Sequence, residues 1–277
     1  MNVRRIAVVK VIASDMDGTF LNEKGTFDEQ RFQTELDRMA DKQMHFISAS
    51  SNHYQHLLNL FQNISGPVSY VCNNGALVVN EQGVIVSEDF IDHPVLEKAL
   101  DWLMTTPSVV GAEIILVGRN GTYCNLPADS ERFKASKYFY EDMQSMPDLK
   151  LVFDSIYKID LMWESGSVFP RQSDLNHKFS GQLTAVSSGM NGMDVMAAGV
   201  SKLTGIQTLL DQWGLAFDDV AAFGDNGNDF EMVNAAHEGF AMKNAAQDLL
   251  ARVDHVTDLT NDESGVQERI DHYLSEK

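Results

Sequence analysis

Apolar and polar positions along the first eighty residues fall into blocks that switch between a strand-like and a helix-like period. Ile6-Ala-Val-Val and then Val11-Ile-Ala form an apolar stretch that stops at Ser14-Asp15-Met16-Asp17-Gly18-Thr19. Phe32, Leu36 and Met39 share one face of a predicted helix ending near Lys42, and Thr26 with Glu29 has the spacing of a capping box at its start. Met44 to Ala49 predicts a second strand and His53 to Phe61 a second helix. This β-α-β-α alternation implies a parallel sheet with helices on both faces, whose ligands bind beyond the carboxyl ends of the strands.

The alternation breaks between Gly83 and Ser188. There the pattern predicts helices at Val95 to Met104, Asp129 to Met143 and Val168 to Phe179. Strands are predicted near Ala112 to Val117, Tyr123, Leu149 to Phe153, Lys158 to Met162 and Leu183 to Val186. The expected architecture is α/β: a doubly wound, Rossmann-like parallel-sheet core from residues 1–82 and 189–277, with an inserted α+β unit at 83–188. Linkers near Asn80 to Val84 and Ser187 to Gly192 would let the insert rock over the crevice and exclude water. No internal repeat or low-complexity tract stands out.

Candidate chemistry gathers where strands end. Side chains alternate along a strand, so Asp15 and Asp17 share a face while Met16 points away. Buried carboxylates need a cation or hydrogen bonds, and Gly18 permits a sharp exit. Alone, Asp-x-Asp-Gly reads equally well as a polar turn. Farther along, Val220-Ala-Ala-Phe223 reads as a buried strand running into Gly224-Asp225-Asn226-Gly227-Asn228-Asp229. Before it, Gly199-Val200-Ser201-Lys202 opens a helix with apolar positions Leu203, Ile206, Leu210 and Trp213. A lysine in that first turn, beside free backbone donors, makes an anion site.

With these residues the chain resembles the haloacid dehalogenase-like (HAD) phosphatases, specifically the Cof-type, subfamily IIB branch with a large inserted cap. The first motif corresponds to Asp15-Met-Asp17-Gly18-Thr19, the lysine motif to Lys202 and the last acidic motif to Gly224 through Asp229. The second motif falls on Ser50 in Phe46-Ile-Ser-Ala49-Ser50-Ser51-Asn52. Many members read Thr-Gly-Arg there, so an arginine contact from that loop is missing. Val71-Cys-Asn-Asn74-Gly75-Ala76 and Gly239-Phe-Ala-Met-Lys-Asn244-Ala245 also resemble family segments, and the stretch from Val186 to Val195 is most similar to the sugar-phosphatase members.

The resemblance implies a Mg²⁺-dependent phosphatase of small phosphomonoesters, with sugar phosphates as the expected substrates. Asp15 is the expected nucleophile, forming an aspartyl-phosphate. Asp17 is the expected acid and then base, which requires a carboxyl able to hold a proton near neutral pH against a free value of about 3.9, favoured by a neighbouring acid and partial burial. Mg²⁺ suits a donor set of hard oxygens without a Cys or His cluster. Asp15 and Asp225 would bind it through carboxylates, Asp17 through its backbone carbonyl, and Asp229 through a water unless it orients Lys202 instead. Ser50 is expected to donate to a phosphoryl oxygen, Lys202 to balance charge, Asn228 to meet phosphate or metal water, and Ser51 and Asn52 to line the substrate site.

Composition changes this picture little. At 277 residues and 44% hydrophobic, the chain can bury one substantial core and a smaller one. The net charge of −19 argues against a nucleic-acid partner. No export signal is read at Met1-Asn-Val-Arg-Arg, and no stretch approaches the roughly 20 apolar residues of a membrane span. Cys72 and Cys124 are expected as reduced thiols, which with these points suggests a cytoplasmic protein. His45, His53, His56, His93, His177, His237 and His255 have no metal-like spacing. Met190, Met193 and Met196 read as core or interface packing, and Trp102 and Trp213 as inward helix positions. Asp194 would brace the linker or touch a sugar hydroxyl. Arg119, Lys158 and Arg171 in the insert are candidate substrate contacts, with solvated charge as the plainer reading of each. The competing functions are a phosphohexomutase, a non-catalytic metabolite-binding module and a DxD-type nucleotide-sugar transferase. The transferase leaves Lys202 and the Gly224 to Asp229 loop without a role, and the intact acids and lysine disfavour the non-catalytic module.

Overall fold

A computed structural model describes residues 9–189 and 191–275. The strand start expected at Ile6 and the packing expected of Met190 lie outside the described residues. The chain begins with β1 (Val11–Ser14), α1 (Glu29–Asp41), β2 (His45–Ala49), α2 (Tyr54–Leu60), β3 (Val68–Cys72), β4 (Leu77–Val79) and β5 (Ile85–Glu88). It continues through α3 (His93–Thr105), β6 (Glu113–Gly118), β7 (Thr122–Cys124), α4 (Glu131–Ser136), β8 (Gln144–Ser145), β9 (Ile156–Met162), α5 (Val168–Lys178), β10 (Leu183–Gly189) and β11 (Gly192–Ala197). The last stretch holds α6 (Lys202–Trp213), β12 (Val220–Gly224), α7 (Phe230–Ala235), β13 (Glu238–Ala241), α8 (Gln247–Leu250), β14 (His255–Val256) and α9 (Gly265–Ser275).

The first sheet has the order β14-β13-β12-β1-β2-β3-β4-β5, parallel from β14 to β3 and antiparallel at β4 and β5. Alternate strand residues feed two cores. Val11, Ala13, Ile47, Ala49, Val220 and Ala222 pack with Ile206, Leu209 and Leu210 of α6. Ile12, Phe46, Ala221 and Phe223 face the other way, onto Phe32, Leu36 and Met39 of α1 and Ile270 of α9. The chain winds outward from β1 to β3 and returns on the opposite side through β12, so the order reverses at β1 and leaves a crevice beyond the carboxyl ends of β1 and β12.

The second sheet, β10-β11-β9-β6-β7-β8, is antiparallel except between β7 and β8. One face, with Ile114, Leu116, Ile159, Leu161, Met193 and Val195, is covered by α3 and α5. The opposite face of β9 and β11 carries Lys158, Asp160 and Asp194 instead. The expected joins at 82/83 and 188/189 do not coincide with the strand pairing. Residues 85–88 pair into the first sheet as β5, and residues 192–197, read as linker and core, pair into the second as β11.

Three local expectations are corrected. Asp28 rather than Thr26 caps α1, its carboxylate accepting from Arg31 N–H at 3.0 Å, while Thr26 Oγ1 is engaged with Asn22. The helix expected over Asp129 to Met143 is only α4, because Tyr140 is drawn inward to Asp160, with Oη donating to Oδ2 at 2.7 Å. Leu149 to Phe153 is a short 3-10 turn at Leu149–Leu151, in which Leu149 and Val152, three apart, are the buried pair and Phe153 is exposed.

Glu35 on α1 is buried against α9, accepting from Gln267 Nε2 at 3.0 Å and facing Arg31 Nε at 2.8 Å. Burial pushes its carboxyl up from an ordinary 4.5 to about 7, against the pull of Gln267 and Arg31. A carboxyl that holds its proton more tightly when folded supports the fold fully below its unfolded value of 4.5 and loses that support as pH rises through about 7. The loss amounts to at most about 3 kcal/mol. Melting curves across this range should show the wild type losing stability relative to Glu35→Gln as pH rises; parallel profiles for the two proteins would refute it.

Candidate active site

Asp15 is the residue immediately after β1, buried, with its backbone N–H donating to Phe223 O on β12 at 3.0 Å. Its Oδ1 accepts from Lys202 Nζ at 2.5 Å. Lys202 reaches it because Ser201 caps α6, in a reciprocal pair with Thr204, and sets the lysine in the first turn. Gly75, at φ +103°, lets the turn after β3 close against that start: a Cβ there would lie 2.1 Å from Ser201 O. Lys202 Nζ also donates to Asp229 Oδ1 at 2.7 Å, and both side chains are fully buried.

Asp229 is saturated by its neighbours. Its Oδ2 accepts the backbone N–H groups of Asp225 at 2.9 Å and Asn226 at 3.0 Å, shaping the loop beyond β12. Asp225, half-buried, accepts from Thr19 Oγ1 at 3.2 Å and from Asn226 Nδ2 at 3.2 Å. Gly18, at φ +79°, brings the first loop so close that a Cβ would meet Asp225 Oδ2 at 2.6 Å. Asp15, Asp225 and Asp229 each offer a carboxylate oxygen within 4.8 Å of the others, and among the described residues they form the only such acidic, His or Cys cluster.

Three carboxylates with one ammonium leave surplus negative charge. Lys202 is held above the ordinary lysine range by Asp15 and Asp229, although burial opposes this. Burial pushes Asp15 well up, against Lys202. Asp225 is pushed up to about 7, by burial first and by Asp229 second.

Asp17 does not join that cluster. It is exposed rather than partly buried, and its Oδ2 accepts from Asn52 Nδ2 at 2.6 Å. Ser50 is buried, and its Oγ accepts from Asn52 N–H at 3.0 Å, a bond that leaves the hydroxyl proton to be donated elsewhere. Ser51 contributes its carbonyl, which accepts from Lys158 Nζ at 2.9 Å. A cavity of about 570 Å³ opens beside Asp17, bounded by Asn22, Lys24, Tyr138 and Phe139.

Lys158 is therefore not a solvated charge. It is buried, and Nζ also donates to Asp194 Oδ1 at 2.9 Å. Asp194 Oδ2 accepts from Asn74 Nδ2 at 2.7 Å, and Asn74 Oδ1 accepts from Asn228 Nδ2 at 3.0 Å. This chain of bonds joins the second sheet to the loop beyond β12. Thr19 and Asn74 lie in motif segments but had no role of their own in the sequence, and Lys158 enters as a buried tether rather than a substrate contact; strand alternation could have found it, since it shares a face of β9 with Asp160. Arg119 pairs with Glu88 at 3.0 Å, and Arg171 lies over the Trp163 ring at 4.6 Å. Cys72 and Cys124 are buried and unpaired with each other. Trp213 stacks on His45, whereas Met193 and Met196 are fully buried.

A family model described as haloacid dehalogenase-like hydrolase matches residues 12–270. The chain is 30% identical over 266 residues to the 5-amino-6-(5-phospho-D-ribitylamino)uracil phosphatase YbjI of Escherichia coli (strain K12), covering 96% of each. It is 22% identical to an HMP-PP phosphatase of Enterobacter sp. (strain 638), covering 90% of this chain and 89% of that one. Among solved structures, SMU.1108c from Streptococcus mutans UA159 matches with a TM-score of 0.89 at 30% identity, over 97% of this chain and 100% of that one. A haloacid dehalogenase-like hydrolase from B. subtilis shares the fold with a TM-score of 0.82 at 21% identity, over 95% and 99%.

Proposed function

The chain belongs to the haloacid dehalogenase-like hydrolases, and from that premise we propose that it is a Mg²⁺-dependent phosphatase of small phosphorylated metabolites, acting through an aspartyl-phosphate on Asp15. The observation that carries this reading is the placement of Asp15 at the end of β1 against Lys202, with Asp225 and Asp229 beside it.

Asp15 is the nucleophile: its carboxylate attacks phosphorus as the bond to the leaving oxygen breaks. Lys202 balances the charge of the phosphoryl oxygens, and the Ser50 hydroxyl donates to one of them. Asp17, at the open side of the site, gives its proton to the leaving oxygen and then takes one from the water that releases phosphate. The donors suit Mg²⁺, being hard oxygens with surplus negative charge; Asp15, Asp225 and the Asp17 backbone carbonyl would hold it. When bound, the ion supplies further charge neutralisation to the phosphoryl group. Asp229 orients Lys202 and shapes the loop, and Asn228 is within reach of Asn74 rather than fixed by a carboxylate.

Residues around 89–197 act as the cap over this site, and the cavity beside Asp17, with Asn22, Lys24 and Tyr138 in its wall, suits a hydroxyl-bearing leaving group such as a sugar. The relatives named above for a ribityl-bearing uracil phosphate and for HMP-PP support small metabolites as the class. The free thiols fit a cytoplasmic protein. No described helix is long and apolar enough to cross a membrane.

The test is phosphate release from a panel of sugar phosphates and heterocycle-bearing phosphomonoesters, with Mg²⁺ and with excess EDTA. Release from a few panel members that EDTA abolishes and Mg²⁺ restores is expected. Undiminished release in EDTA would overturn the metal requirement. No release, with phosphoryl transfer between sugar positions instead, would replace the phosphatase by a mutase.

A further inference from the structure

Asn52 is held by its own backbone: its N–H donates to Ser50 Oγ at 3.0 Å and its carbonyl accepts from Asn73 N–H at 2.9 Å. The residue is 6% exposed, and its side chain has one acidic partner, Asp17, which it meets at 2.6 Å. Asp17 is exposed, and an exposed aspartate otherwise distributes over several rotamers, most of them useless to a single reacting atom. A buried, immobile amide bonded to one oxygen of a mobile carboxylate selects one of those rotamers. The bond also distinguishes the two oxygens: Oδ2 is occupied by the amide and Oδ1 is not.

We propose that Asn52 is a positioning residue for Asp17. It fixes Oδ2 and so presents Oδ1 to the leaving-group oxygen, a role distinct from the substrate contact expected of it. The proposal rests on the phosphatase reading above. In the first half-reaction the bond from Asp15 to phosphorus forms, the electron pair of the breaking P–O bond passes to the leaving oxygen, and the proton on Asp17 Oδ1 goes to that oxygen. In the second, water attacks phosphorus, its proton returns to Oδ1, and the Asp15 carboxylate is regenerated. Throughout, the Asn52 amide keeps its own protons and acts only by direction.

The consequence is a dependence on the leaving group. An alcohol must be protonated as it departs, whereas p-nitrophenolate need not be. The experiment compares kcat/KM, which reports the steps through phosphoryl transfer to Asp15, for p-nitrophenyl phosphate and for the sugar phosphate of the panel that turns over fastest. The proteins are wild type, Asn52→Ala, Asp17→Ala and the double variant. Asn52→Ala should lose about 10- to 100-fold on the sugar phosphate and less than about 3-fold on p-nitrophenyl phosphate. In the Asp17→Ala background it should cost almost nothing more. Asn52→Leu is nearly isosteric and removes the donor without adding charge; it should repeat the selective loss and serves if the alanine variant does not fold.

Equal losses on both substrates, or a full additional loss without Asp17, would overturn the proposal and return Asn52 to substrate binding. A wild type that releases phosphate from neither substrate would overturn the phosphatase reading itself, and this assignment with it. An active wild type with an unselective Asn52 variant would overturn the assignment alone.

Discussion

Asp15→Asn should lose phosphate release by about 10⁴-fold or more while the metal-free protein remains at least as stable as the wild type. The two halves of this result have different causes. An amide oxygen can still accept from Lys202 Nζ but cannot attack phosphorus. In the absence of metal, the same change removes a carboxylate that burial already disfavours in its charged form, within a cluster of three acids and one lysine. Single-turnover phosphate release and melting in EDTA check both halves. Near-normal turnover would remove Asp15 as nucleophile; a strongly lowered melting temperature would mean that its charge holds the fold.

Lys202→Met should damage stability as well as rate. Methionine matches the aliphatic stem but leaves Asp15 and Asp229 facing each other without a cation, in a place where Lys202 and Asp229 have no exposed side-chain surface. Breaking a buried pair in this way costs about 3–5 kcal/mol, and losing a charge aimed at the phosphoryl group costs about 10²- to 10³-fold in kcat. The pH dependence has a definite sign. The stranded acids can relieve themselves only by binding protons, so the metal-free variant should regain stability as pH falls. Denaturant unfolding at neutral and mildly acidic pH measures this, and a midpoint equal to the wild type's in EDTA would show that the lysine is not what neutralises the acids.

The parallel sheet and three distant segments of the candidate site were readable because each leaves a local signature, an apolar strand ending in an acid or a helix opening with a lysine; Ser50 was placed only by the family resemblance. Asp15, Lys202 and Asp225 need only those signatures. Asn52 and Asp17 are separated by 35 positions, and their bond depends on how the loops after β1 and β2 face one another. Lys158 illustrates a different failure. A lysine in an amphipathic strand reads as solvent-facing unless the covering element is known, and here the cover is the Ser51 loop on the other sheet. The strand β11 was missed because Asp194 and the glycines near it resemble linker composition, although Met193 and Val195 do alternate toward α3 and α5. Asp28 displaced Thr26 as helix cap because both are good caps and only geometry chooses between them.

Lys158 and Asp194 stand on neighbouring strands of one sheet, so their ion pair would travel intact with that sheet if the two sheets parted. Of the pair's own bonds, those to Ser51 O and from Asn74 would be cut, and incoming water can substitute at both. Each such exchange has a net cost of about 0.5–3 kcal/mol, so wetting the seam strands no bare ion. The pair thus survives hydration whole, whereas Tyr157 and Met196, which pack into the first sheet's core, are the side chains whose exposure opposes parting of the sheets.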